Sequence, residues 1–205
     1  MNRFLLWLVC CLSPLAFWGQ EISKDAIIKE ISRSAATIKT MQCDFVQTKR
    51  MKMLGSELVS KGRMSCSQPD KLRWEYLSPY TYTFVLYKNK VMMKKGERTD
   101  VIDVNSNRMF KEIAAIMLNS VLGNCFSDKS FEVDAKQENG QYVATLLPMK
   151  KEMKMMFSRI VLHYDKVQSM VREVELYEKN GDNTTITLTH VRKNEPIDEK
   201  IYDVE

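Results

Sequence analysis

Leu72-Arg73-Trp74-Glu75-Tyr76 decides the fold: apolar and aromatic side chains at 72, 74 and 76 alternate with charges at 73 and 75. A period of two is the signature of a strand with one dry and one wet face. The same alternation returns near the end of the chain, where Ile186 and Leu188 oppose Thr185, Thr187 and Thr189. Working outward, short β-type runs precede and follow at 41–51, 56–67, 71–77, 81–88, 91–95 and 99–104, broken by Leu54-Gly55, Pro69-Asp70, Ser78-Pro79, Lys88-Asn89 and Lys95-Gly96. A second series follows at 130–137, 141–148, 156–164, 168–179, 183–193 and 199–204, with turns at Glu138-Asn139-Gly140, Asp165-Lys166 and Asn180-Gly181-Asp182-Asn183. The spacing predicts an antiparallel meander of about eleven strands. A single sheet of that length must curl to hide its dry face, giving a barrel or half-barrel.

Two helices interrupt the strands, so the class is mainly β with helices (α+β). Ser23 caps a helix whose residues Ile27, Ile28, Ile31, Ala35 and Ile38 form a one-sided apolar stripe ending near Lys39. A second helical segment, about Asn107 to Leu122, carries Met109, Phe110, Ile113, Ala114, Ile116, Met117, Leu118, Val121 and Leu122 before Gly123. It is apolar over most of its circumference, which fits either the plug of a solid core or the cover of a hollow. Eleven of the thirteen methionines outside the leader crowd the strand ends and this helix. Such unbranched, polarizable side chains repack at low cost around flexible hydrocarbon, and also serve as ordinary core filler.

Composition narrows the function. With 205 residues, 44% apolar and 28% charged, the chain can build one sizeable core. Its seven glycines never cluster into a phosphate-cradling loop, and its two histidines, His163 and His190, lack HExxH or HxH spacing. No metal or cofactor site is expected. Asp44, Glu57, His163 and His190 are available for acid–base work, but nothing in their spacing gathers them, so no catalytic residue is assigned. A formal charge of +5 is too small to point to nucleic acid.

Residues 1–19 read as a secretory signal peptide: Arg3 precedes an apolar run from Phe4 to Phe17, and Gly19 is small enough for cleavage. A lipid anchor on Cys10 or Cys11 is the alternative. Residues 20–205 then form one domain beyond the inner membrane, with three cysteines, Cys43, Cys66 and Cys125. A hairpin turning at Leu54-Gly55 would set Cys43 opposite Cys66, allowing a disulfide; three small buried thiols are the other reading.

The stretch Cys43-Asp44-Phe45-Val46-Gln47, Gly55, Gly62-Arg63-Met64, Gln68-Pro69, Leu72-Arg73-Trp74-Glu75-Tyr76 and Pro79 closely resembles the periplasmic outer-membrane lipoprotein carrier family, LolA. The resemblance continues through Asn105-Ser106-Asn107-Arg108, Leu147-Pro148 and Asn194-Glu195-Pro196-Ile197-Asp198, and covers nearly all of residues 20–205. It implies an unclosed half-barrel lidded by the N-terminal and central helices. Its hollow would take the acyl chains of a lipoprotein from an inner-membrane transporter and deliver them to an outer-membrane receptor. A monomer in transient contact with membrane-bound partners is expected. A non-shuttling envelope lipid or glycolipid binder, or a sensor on the same scaffold, is the alternative.

On this reading Phe45, Met64, Leu72, Trp74, Tyr76, Phe84 and Leu86 line the hollow from the strands. Met109, Phe110, Ile113 and Met117 cover it from the helix. Each equally suits plain core. The family commonly has an arginine, thought to tie lid to barrel, where this chain has Gln68; the neutral amide either donates to lid carbonyls or faces solvent in a turn. Three basic clusters interleaved with methionine, at 49–53, 92–95 and 149–156, are either a cationic, greasy rim for acidic partners and head groups or solvated hairpin tips.

Overall fold

A computed structural model describes residues 22–103, Leu118, Phe126 and 130–203. Eleven antiparallel strands form one sheet: β1 (Thr40–Met51), β2 (Ser56–Ser67), β3 (Lys71–Ser78), β4 (Tyr82–Tyr87), β5 (Lys90–Lys95), β6 (Arg98–Asp103), β7 (Phe131–Glu138), β8 (Gln141–Pro148), β9 (Phe157–Asp165), β10 (Met170–Glu178) and β11 (Asn183–Lys193). Their order is β6-β5-β4-β3-β2-β1-β11-β10-β9-β8-β7. Two hairpin meanders are therefore joined at a central seam where β1 pairs with β11. The sheet is an unclosed half-barrel. β6 and β7, which follow one another among the described strands, form its two outer edges. Between them in the chain, Leu118 is helical and buried, and Phe126 packs against the same core.

Alternation builds the core as the sequence predicts. Cross-strand neighbours Phe84, Trp74, Met64 and Cys43 face inward from β4 to β1. On the other side of the seam Phe45 opposes Leu188, and Ile186, Val174, Leu162, Ala144 and Ala135 carry the apolar row out to β7. Helix α1 (Lys24–Thr37) lays Ile27, Ile31 and Ala35 into this concave side, with Ser23 Oγ accepting from the Ala26 amide at its start.

Three local expectations need correction. First, residues 199–204 are not a strand: Glu199–Tyr202 form a 3-10 turn capped by Asp198. Both flanks of β11 are already taken by β1 and β10, so no edge is free beside it. Tyr202 instead inserts beneath β2–β4, its hydroxyl 2.9 Å from Ser67 Oγ, and Arg73 donates to the Ile201 carbonyl at 2.9 Å. Secondly, the basic cluster at 149–156 is a short helix, α2 (Lys151–Met156), pinned by the buried Met153.

Thirdly, the first hairpin spends four residues, Lys52 to Gly55, on its loop, with Met51 opposite Ser56 and Gly55 at φ +59°. That register sets Cys43 across from Met64 and Cys66 across from Met41. The two thiols are diagonal neighbours on the inward face and both are free. Cys125 lies outside the described residues.

Candidate functional site

The seven strand residues expected to line the hollow come together on the concave face. Phe45, Met64, Leu72, Trp74, Phe84 and Leu86 are buried in one cluster, and Tyr76 packs half-buried at its border. Met109, Phe110, Ile113 and Met117 lie outside the described residues. At the centre of the cluster the Phe45 and Trp74 ring centroids are 4.3 Å apart, and Tyr76 meets Phe45 edge-on at 5.3 Å. Gln47 accepts from the Tyr76 hydroxyl at 3.0 Å, so both halves of the Phe45-Val46-Gln47 motif engage the Trp74-Glu75-Tyr76 strand. Burial pushes the Tyr76 phenol up. Trp74 Nε1 and Tyr164 Oη are buried without a hydrogen-bond partner among the described residues.

Cys43 and Cys66 belong to the same apolar lining. Burial pushes both thiols up to about 12; for Cys43 the neighbouring Cys66 and Asp44 charges add to it. They are inert, protonated wall residues at neutral pH.

Helix α1 is fastened to this wall at its C-terminal end. Gln68 Nε2 donates to the Ala35 carbonyl at 3.3 Å, and the Gln68 amide donates to Lys39 O at 2.8 Å. A stronger clamp comes from the far end of the chain. Asn194, in the left-handed region at φ +60°, accepts from the Lys39 amide through Oδ1 at 2.7 Å and donates to Thr37 O through Nδ2 at 3.0 Å. Sequence reasoning singled out Asn194-Glu195-Pro196 as a motif but gave it no role. An Asn just after a strand is the available signal, since Asn tolerates that backbone conformation and can hydrogen-bond in two directions. At the middle of α1, Tyr142 Oη donates to Glu30 at 2.9 Å.

The convex face is polar. His190 and Asp44, not gathered by their spacing, meet across the β1–β11 seam at 3.0 Å, in a groove of about 360 Å³ lined also by Gln42, Arg63 and Arg192. Glu57 pairs with Arg50 instead. His163 Nε2 lies 2.6 Å from Glu175 and 3.9 Å from Glu173, the one group of three metal-ligand-type side chains within reach of one another among the described residues. Thr187 and Tyr177 hydroxyls donate to the remaining carboxylate oxygens, leaving a self-satisfied network. Burial tends to raise Glu175, but the hydrogen bonds from Tyr177 and His163 outweigh it and hold the carboxyl below the usual range.

An apolar concave wall under a clamped helix, on an unclosed eleven-stranded sheet, invites comparison with known proteins. Residues 36–205 match the family described as "Outer membrane lipoprotein carrier protein LolA". The chain belongs to the LolA family. An outer-membrane lipoprotein carrier protein of Legionella pneumophila (strain Lens) is 25% identical over 202 residues, covering 98% of this chain and 94% of that protein. Among solved structures, an uncharacterized conserved protein from Thermus thermophilus superposes with a TM-score of 0.54 at 8% identity, over 89% of this chain and 95% of that one. A DUF1329 family protein from Desulfovibrio piger gives a TM-score of 0.50 at 12% identity, over 88% and 97%. At those identities the two structures speak for the fold alone. No helix among the described residues of this LolA-family chain is long and apolar enough to cross a membrane.

Proposed function

We propose that this protein is a periplasmic lipoprotein carrier. Residues 1–19 direct export, and residues 20–205 form one domain that takes the acyl chains of a lipoprotein from an inner-membrane transporter and delivers them to an outer-membrane receptor. The observation that carries this reading is the continuous inward apolar row from β4 to β7, with Trp74 at its aromatic centre. Acyl chains cannot cross water unaided, because each exposed methylene costs about 0.8 kcal/mol. A carrier has to replace that water with side chains and then give the cargo up. Release calls for a cover whose own contacts compete with the cargo's, and α1, held by a few hydrogen bonds at Gln68 and Asn194, suits that exchange. Phe45, Met64, Leu72, Tyr76, Phe84 and Leu86 share the wall with Trp74, while Met109, Phe110, Ile113 and Met117 are assigned to the cover.

A chain beginning at Ile22 has Trp74 as its single tryptophan, since Trp7 and Trp18 precede it. Its fluorescence is therefore a direct reporter of the wall. Titration with a tri-acylated lipopeptide should shift and saturate the Trp74 emission, and the protein recovered from its native envelope should carry acylated lipoprotein. An unchanged spectrum together with an empty native protein would overturn the carrier reading. Recovery of free lipid or glycolipid alone would replace shuttling with lipid binding or sensing.

A further inference from the structure

Beyond cargo binding, we propose that one rim of the half-barrel is a docking surface for an anionic phospholipid bilayer. The strand directions place the β1–β2 loop, the β10–β11 turn and α2 at the same end of the sheet. Hydrogen bonds tie them together: the Lys52 amide donates to Asp182 at 3.0 Å, and the Lys179 amide donates to Met156 O at 3.0 Å. The three tips therefore move as one edge and can meet a plane simultaneously.

That edge carries the most exposed apolar side chains of the described residues apart from Val167. Met53 is 90% exposed, Leu54 72% and Met155 70%, while at the opposite end, among the described residues, Val167 at 95% alone compares. Met and Leu this exposed gain little from packing against the described residues, so the described fold does not explain them. Lysines stand between them. Lys49 is spent on Glu178 at 2.8 Å and Arg50 on Glu57 at 2.6 Å, but Lys52, Lys151, Lys154 and Lys179 make no ion pair among the described residues. Long cationic stems around short apolar tips match the head-group boundary, where the tips enter the acyl layer and the ammonium groups reach phosphates. A protein partner fits less well, because lysine is depleted from the centres of protein interfaces and the tips protrude instead of forming a pocket. Each lysine brought near an anionic surface strengthens adsorption about fivefold, so a few of them give reversible, salt-sensitive contact.

The test is sedimentation of the purified protein, without lipoprotein, with vesicles of phosphatidylcholine alone and of phosphatidylcholine with phosphatidylglycerol. Binding is expected only with phosphatidylglycerol, falling at high salt, weakened at least tenfold by M53E/L54E and several-fold by K151E/K154E. V167E, at the far end, should bind as the unaltered protein does. These positions are exposed, and circular dichroism checks that each variant is folded. Failure to bind the anionic vesicles, equal binding to both lipids, or undiminished binding by folded M53E/L54E would overturn the proposal, and none of these results touches the cargo reading.

Discussion

Phe45 lies directly across the β1–β2 ladder from Gly62, and its ring fills the space that a side chain there would need. A β-carbon on Gly62 would stand 2.5 Å from Phe45 Cζ and 2.0 Å from the Glu75 carbonyl oxygen. The glycine is thus what allows the aromatic centre of the wall to lie flat on β2. Gly62→Ala should destabilise the fold by about 3 kcal/mol, read from the urea midpoint. Adding Phe45→Ala should not restore it, because the Glu75 carbonyl still clashes; near-native stability of either variant would show that the strand yields easily.

Asn194→Ala should release the C-terminal end of α1. Two hydrogen bonds and a residue suited to the left-handed backbone are lost together, costing about 2 kcal/mol. Asn194→Gly keeps the backbone but not the bonds, and should lose less. Hydrogen exchange in residues 31–38 should accelerate in both variants, whereas unchanged protection would mean that Gln68 and apolar packing suffice to hold the helix.

Thiol accessibility gives a third expectation. With Cys43 and Cys66 held protonated up to about pH 12, alkylating reagents at neutral pH should modify them only after unfolding. Their raised values also make stability pH-dependent. The contribution is intact below the ordinary thiol value of 9.0 and is lost as pH rises toward 12, because the unfolded thiols ionise first. Cys43→Ala with Cys66→Ala should flatten the alkaline limb of a stability–pH curve, and an unchanged slope would contradict this.

Glu175 works in the opposite direction. Its carboxyl is held low, so its stabilising effect is present above the ordinary value of 4.5 and disappears as pH falls through the folded-state value. Glu175→Gln should therefore lower the unfolding midpoint at neutral pH and leave it nearly unchanged at acid pH, so that the acid limb becomes shallower. An identical acid limb in the variant would rule out the Tyr177–Glu175–His163 network as its source.

The strand alternation was legible because each strand has one dry face, so Leu72, Trp74 and Tyr76 announce both the structure and its inward side. Ser23 and the Ile27–Ala35 stripe announce α1 for a similar reason: caps and periodicity are local. Register was less accessible. A loop of four residues and one centred on Leu54-Gly55 look alike in sequence, yet they exchange the partners of Cys43 and Cys66. The C-terminal alternation at Ile201-Tyr202-Asp203 read as a strand because nothing local reveals that the neighbouring edges are occupied. Asn194 clamping Thr37 and Lys39, and His190 meeting Asp44, depend on the β1–β11 pairing and become visible only with the topology. α2 is too short for its periodicity to stand out from a run of Lys and Met.

Because the first and last strands are hydrogen-bonded at the middle of the sheet, the order of synthesis and the order of assembly cannot coincide. β2 to β6 can zip onto β1 as soon as each emerges, but the other flank of β1 stays bare until β11 arrives. Two separate ribbons form from local hairpins, and only the final residues weld them into a trough. A chain stopped before Asn183 would keep its ribbons but lack the strand that joins them, so such a truncation should leave no continuous trough.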